Sequence, residues 1–204
     1  ALEKITEKMP DSKDGLRPML IYPVVGLLLI SVIMFAINPF FSWLNQLLAD
    51  ALNSLSGANS ILHRVILGGM MSIDMGGPFN KAAYVFGTAS LAYQTEAGYM
   101  IMAAVMVGGM VPPIAIAISS WVFKNKFTDN DRKTAPVNAI MGLCFISEAA
   151  IPYAAGDPLH VIPSCVIGSA VAGALSMAFK CTLMAPHGGI FVFPVVGHAL
   201  MYIV

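Results

Sequence analysis

Tyr99 to Phe123 is a run of 25 residues without one charged side chain. The hydrocarbon core of a bilayer takes about 20 helical residues to cross, so a run of this length has one usual destination. Met19 to Ile37 is a second uncharged run, of 19 residues, and Leu159 to Phe179 is a third apolar stretch. Composition agrees with this reading. Apolar residues make up 57% of the 204-residue chain and charged residues 11%, with 11 Lys+Arg against 11 Asp+Glu. So few charges cannot cover a water-soluble domain of this length. The absence of a basic excess excludes a nucleic-acid binder, and the apolar content excludes a disordered chain. The fold class is therefore all-α: a polytopic membrane protein with transmembrane helices, an amphipathic helix and broken or re-entrant helical hairpins.

The pass along the chain divides it into a polar loop, 1–18, and a transmembrane domain, 19–204. The opening segment has neither an initiator Met nor a signal peptide, and it resembles a loop between spans. The chain thus reads as the C-terminal part of a longer protein. Asn38-Pro39 is expected to end the first span. Beyond it, Leu44, Leu47, Leu48, Ala51, Leu52 and Leu55 recur at helical spacing, with Asn45, Gln46, Asp50, Asn53 and Ser54 opposite, which predicts an amphipathic helix over 40–56. Pro112-Pro113 is expected to break the long central run. Pro136–Ala155 and the final stretch Cys181–Val204 are apolar but interrupted, and at least four full spans are expected. Gly168, Ala172 and Ser176, four apart, predict a close helix contact. The basic residues of 1–18 and 124–133 place both loops on the cytoplasmic side.

Irregular backbone at membrane depth is tolerated only where protein or a water-filled cavity satisfies it. Three segments have that character: Asp74-Met-Gly-Gly-Pro-Phe-Asn-Lys81, Ile146-Ser-Glu-Ala-Ala-Ile-Pro152 and Ala185-Pro-His-Gly-Gly189. Broken helices that aim backbone groups at a polar solute are how many transporters build their sites. Glu148 is the sharpest residue, because a carboxylate at mid-membrane costs roughly 2.5–3.5 kcal/mol on insertion scales. It is expected to be buried among Ile146, Ala149, Ala150 and Ile151. Asp74 and Lys81 either form a structural ion pair or contact a ligand. His187 is either a satisfied core residue or a ligand contact. The 14 methionines read as apolar filler. So do Cys144, Cys165 and Cys181, which show no disulfide or metal-ligand spacing. No P-loop, GxSxG or HExxH occurs, and neither metal nor cofactor is expected.

Asp74-Met-Gly-Gly-Pro-Phe-Asn-Lys-Ala-Ala-Tyr84 and Gly142-Leu-Cys-Phe-Ile-Ser-Glu-Ala-Ala-Ile-Pro-Tyr153 resemble signatures of the fructose-family enzyme IIC. So do Asp157-Pro158-Leu159 and Ala185-Pro-His-Gly-Gly-Ile-Phe191. That family is the membrane component of the bacterial phosphoenolpyruvate-dependent sugar phosphotransferase system. The resemblance covers nearly the whole chain in order. It implies a multi-pass permease of the bacterial cytoplasmic (inner) membrane that binds fructose or a related sugar at mid-membrane. A phosphorylated IIB partner would pass phosphate from its cysteine to the sugar, so the chain would be a transferase component active only together with IIB. A homodimer held through spans absent from this chain is implied as well. Carried over by motif, Glu148 is the catalytic residue. The sugar-binding set is Asp74, Gly76, Gly77, Asn80 and Lys81 from the first block, and Ser147 and Glu148 from the second. Asp157 and His160 follow, then His187, Gly188 and Gly189. Two positions depart from the family pattern: Ile146-Ser-Glu-Ala149 stands for Ile-Thr-Glu-Gly, and His160 stands where an Arg is expected. The residues alone leave two other readings open, an ion-coupled secondary transporter with Asp74 and Glu148 as its relay, and a non-transporting membrane scaffold.

Overall fold

A computed structural model describes residues 17–55 and 60–203. Residues 1–16 of the expected loop lie outside it, as do the side chains of Asn45, Leu52, Asn53, Ser54 and Leu55 from the expected amphipathic helix. The chain divides into two units, residues 1–44 and 45–204. After a π-helical turn, Arg17–Ile21, helix α1 runs over Tyr22–Leu55. Its apolar stretch Tyr22–Leu48 is long enough to cross a membrane and is mostly exposed, with Phe35 85% accessible. An apolar helix without a polar face has lipid as its solvent.

Pro39 lies inside α1, so Asn38-Pro39 does not end the first span. In hydrocarbon an interior proline costs one backbone hydrogen bond, whereas an unwound segment would strand several. The amphipathic segment is therefore a continuation of the span. Gln46 and Asp50 are exposed and bonded to each other (3.0 Å), and Leu48 packs on the core.

In the second unit follow α2 (Ser60–Met70), α3 (Pro78–Leu91), α4 (Glu96–Val122), α5 (Asp129–Leu143), α6 (Ile151–Gly156), α7 (Pro158–Ala178) and α8 (Ala199–Ile203). Helix α4 is the axis, packed by α2, α3, α5 and α7. Its first turn is capped by Thr95, whose hydroxyl accepts from the Gly98 amide (3.2 Å). At α5, Thr128 and Asp131 form a reciprocal capping box. The core between these helices holds Leu67, Met71, Met102 and Met106, in line with the filler role expected of methionine.

The Pro112-Pro113 pair does not break α4 either. A proline at 112 cannot donate to the carbonyl of Gly108 four residues back. That carbonyl accepts instead from Ser169 Oγ on α7 (2.8 Å) and from Ser72 Oγ (3.4 Å), and the two hydroxyls also touch each other. Neighbouring helices thus make good the bond the proline removes. The approach is close because glycines meet there. A Cβ on Gly108 would lie 2.7 Å from the Gly68 carbonyl oxygen, and one on Gly68 would lie 2.6 Å from that of Ser169. The tight stripe on α7 is accordingly Cys165, Ser169, Gly173 and Ser176, all buried, one residue out of register from the expected Gly168–Ala172 pair.

Among the described residues three helices are long and apolar enough to cross a membrane: α1, α4 and α7. The interrupted apolar stretch 136–155 is the end of α5, a 3₁₀ turn Ser147–Ala150 and the short α6. The final apolar stretch holds a two-residue antiparallel ribbon, Thr182–Leu183 with Val196–Gly197, and a 3₁₀ segment, Ile190–Val195. Apart from that ribbon the regular structure of the described chain is helical, and it carries breaks at 71–77 and after 178 as the glycines and prolines there predict.

Candidate functional site

The first break is built by its own side chains. Helix α3 begins at Pro78, which has no N–H to satisfy, and Lys81 N already bonds the Gly77 carbonyl (2.9 Å). Two orphan donors remain, Phe79 N and Asn80 N, and they donate to Asp74 Oδ2 (2.7 Å) and Oδ1 (2.9 Å). Asp74 is thus a helix cap reaching back over the break, and its negative charge sits at the positive end of α3. Asn80 is buried, and its Nδ2 donates to Met71 O at the end of α2 (2.7 Å). Gly77 fits because a Cβ there would lie 2.5 Å from Asp74 Oδ2. Met75 (φ +45°) and Gly76 (φ +121°) turn the chain between these anchors. The Gly76 conformation is one that side-chain-bearing residues avoid.

Glu148 stands on the 3₁₀ turn opposite. A Cβ on Gly76 would lie 3.0 Å from Glu148 Oε1, so the bare backbone of the first break faces the carboxylate of the second. Glu148 is exposed rather than buried among its apolar neighbours: Ala150 and Ser147 turn into the protein, while Glu148, Ile146 and Ile151 turn out. The short 3₁₀ turn, not a helix of regular period, sets that orientation. No hydrogen bond or ion pair reaches the Glu148 carboxylate among the described residues.

The third segment closes against the second through Phe145, a residue with φ +63°. Its ring lies 5.8 Å from that of His187, and Cβ atoms on Gly188 and Gly109 would fall 2.5 and 2.6 Å from it. Gly189 (φ +87°) packs on the backbone of Leu143 and Cys144. Tyr84 Oη of α3 donates to Pro186 O (2.8 Å), which ties the first break to the third. His187 is exposed, with Nδ1 donating to Gly188 O (2.6 Å). Lys81 is exposed, its Nζ 5.9 Å from the Tyr84 ring centroid, and no Asp74–Lys81 ion pair forms because both carboxylate oxygens cap α3.

The structure therefore brings together the three irregular segments: Asp74, Gly76, Gly77, Asn80 and Lys81, then Ser147 and Glu148, then His187, Gly188 and Gly189. Asp157 and His160 stand elsewhere. They pair with each other at the start of α7 (Nδ1 to Oδ1, 2.8 Å) and line a cavity of about 630 Å³ with Lys126, Asp131 and Tyr153. Sequence reasoning did not single out Tyr84, Phe145 or Tyr153. Tyr153 Oη meets Thr134 Oγ1 (3.1 Å) and accepts from Asn138 Nδ2 (3.0 Å), which ties α6 to α5. All three are aromatic residues within or beside the polar blocks, and that was the available signal.

In this helical membrane domain the broken helices gather an unengaged carboxylate and bare glycine backbone, a class of arrangement that can hold a polar solute. Comparison with known proteins narrows the class. Residues 1–168 match the family described as Phosphotransferase system, EIIC. The chain is 48% identical over 204 residues to the PTS system fructose-specific EIIABC component of Bacillus subtilis (strain 168), covering 99% of this chain and 32% of that protein. It is 48% identical to the Fructose permease IIC component of Bacillus amyloliquefaciens, covering 99% of this chain and 66% of the relative. With the PTS system fructose-specific EIIB'BC component of Escherichia coli (strain K12) it shares 44% identity over 191 residues, 93% of this chain and 33% of that protein. The chain thus spans between about a third and two thirds of these relatives. No solved structure matches it. The chain belongs to the EIIC family of the phosphotransferase system, and it is an inner-membrane protein.

Proposed function

We propose that this chain is the sugar-conducting part of a fructose permease of the phosphotransferase system, with Glu148 as its sugar-facing carboxylate. One observation carries the reading: Glu148 is exposed over the bare backbone of Gly76 at the junction of three irregular segments, without a partner among the described residues. A carboxylate held in that way is ready to accept a hydrogen bond from a sugar hydroxyl. Lys81, exposed on the first break, supplies a donor to the sugar or to the incoming phosphoryl group, and His187, exposed on the third segment, offers Nε2 to a sugar hydroxyl, while Asp74 and Asn80 hold the break in shape.

In the proposed reaction the sugar O1–H gives its proton to Glu148 as O1 attacks phosphorus on the IIB phospho-cysteine. The S–P bond breaks, the thiolate leaves, and fructose 1-phosphate forms. Such a transfer depends mainly on positioning and charge management. Fructose appears in the names of the relatives, and several of those names join B and C components in one protein, which supports a IIB partner. Asp157 and His160, on the 630 Å³ cavity with Lys126, are proposed to act on the approach of sugar or phosphate rather than at Glu148. Homodimer formation through spans outside this chain belongs to the same proposal.

The test is vesicles carrying the full protein, IIB and the soluble phosphocarriers, supplied with a panel of labelled sugars. The expected result is phosphoenolpyruvate-dependent uptake of fructose as its phosphate, unaffected by an uncoupler. Uptake that stops with the uncoupler and needs no phosphoenolpyruvate would instead identify an ion-coupled carrier.

A further inference from the structure

Away from Glu148, the end of α4 and the first turns of α5 enclose an open cavity of about 540 Å³, lined by Lys124, Arg132, Lys133, Trp121, Ser120 and Asp129. Three cations face one carboxylate there. Asp129 is engaged by Arg132, which leaves Lys124 and Lys133 without an acidic partner among the described residues. The Nε–H of Arg132 is shielded from solvent and unbonded, a donor held ready for an acceptor the protein does not supply.

The apolar surface next to this cluster is what sets it apart from an ordinary charged loop. On α4, Ile118 lies one turn below Trp121, and both are about half exposed. On α5, Val137 and Ile140 follow Lys133 at helical spacing and are 54% and 61% exposed. Both stripes lead toward an apolar cavity of about 310 Å³ bordered by Ile114 and Ile118 of α4, Leu143 of α5, Leu175 of α7 and Phe193. From Val122, the end of α4, to Ile114 the helix rises about 12 Å, and from Lys133 to Leu143 α5 rises about 15 Å. That is close to half of the roughly 30 Å hydrocarbon core, the depth of one leaflet. A tryptophan at the junction of the cationic and apolar zones marks the interface.

We propose that the Lys124–Arg132–Lys133 cluster and the α4–α5 stripes beneath it bind one anionic diacyl phospholipid, its phosphate among the three cations and an acyl chain along the stripes. Charge complementarity selects the anion, and bidentate arginine suits a phosphate. The contiguous apolar bed selects a lipid over free phosphate or an acidic protein, since neither would cover it. The inference needs only the membrane placement of α4, so it stands or falls separately from sugar transport.

The test uses the full-length protein with Trp43→Phe, which leaves Trp121 as the remaining tryptophan of the two in this chain. Other tryptophans of the full protein are replaced likewise. The protein is reconstituted in phosphatidylcholine vesicles containing a small fraction of acyl-brominated phosphatidylglycerol or, in parallel, the same fraction of acyl-brominated phosphatidylcholine. Two unmatched cations predict quenching that corresponds to about thirtyfold local enrichment of the anionic lipid. Lys124→Gln with Lys133→Gln should abolish the preference, Lys124→Arg with Lys133→Arg should keep it, and Asp129→Asn should raise it. Equal quenching by both lipids, or a preference that survives the glutamine pair, would overturn the proposal. So would displacement of the anionic lipid by inorganic phosphate but not by chloride at matched ionic strength, which would make free phosphate the occupant. The Asp129→Asn arm removes only a charge, so a misfolded glutamine variant leaves the question answerable.

Discussion

Ser169 is fully buried, and its hydroxyl lies 2.8 Å from the Gly108 carbonyl that Pro112 leaves without an intrahelical donor. In Ser169→Ala that carbonyl keeps only the long contact from Ser72 Oγ at 3.4 Å. An unsatisfied buried carbonyl costs about 1–3 kcal/mol, and hydroxyl bonds between membrane helices average about 0.6 with a maximum near 1.7, so we expect a loss of about 1–1.5 kcal/mol. Pro112→Ala restores an N–H at 112, and that N–H can reach the same carbonyl along the helix. In the Pro112→Ala background the cost of Ser169→Ala should therefore fall below about 0.5 kcal/mol, a coupling that a double-mutant cycle isolates from any cavity left by the smaller side chain. Reversible unfolding of the four proteins in mixed micelles, with denaturing detergent as the variable, reads all the required free energies. Equal costs of Ser169→Ala in both backgrounds would refute the account of how α4 survives its prolines.

Asp74→Ala strands two amide donors at the start of α3, and we expect about 2 kcal/mol of lost stability in the same assay, with Asp74→Asn near half of that; unchanged stability would show that Asp74 is not a cap. Glu148→Gln should leave stability nearly untouched, since the carboxylate is exposed, but weaken sugar binding by about 1–3 kcal/mol. If Glu148 is also the base, phosphorylation at saturating sugar should fall by a further 10²–10⁴-fold or so, and unchanged affinity and rate together would remove it from the site. Gly76→Ala forces an alanine to φ +121° and sets its methyl against Glu148; about 1–3 kcal/mol of strain and a loss of sugar affinity larger than that of a surface alanine control are expected, and wild-type affinity would separate the first break from the proposed sugar site. A cysteine at position 126 should be labelled from the cytoplasmic side of sealed vesicles, and labelling from the periplasmic side would reverse the orientation assigned to the 124–133 loop.

Much of the protein's class was legible in the chain because bilayer burial acts on continuous stretches of composition. Tyr99–Phe123 and Leu159–Phe179 announce spans whatever surrounds them, and α4 and α7 lie there. The irregular segments were equally visible, since Gly76-Gly77-Pro78 and Pro186-His187-Gly188-Gly189 prevent regular helix by local backbone chemistry alone. Prolines were misleading where the remedy was tertiary. Nothing near Pro112 in sequence tells that Ser72 and Ser169, from two other segments, will supply the missing donors, so a break was expected where the helix continues. The register of the α7 contact was off by one residue for the same reason, because which small residue meets a glycine depends on where the partner helix crosses. Asp74 and Glu148 were both legible as carboxylates in a membrane chain. Only the fold divides their roles, since two amides of α3 occupy Asp74 while the 3₁₀ turn at 147–150 points Glu148 outward over Gly76. Local sequence dictates where regular helix is possible and which groups carry charge; which of those groups finds a partner is settled by contacts between segments far apart in the chain.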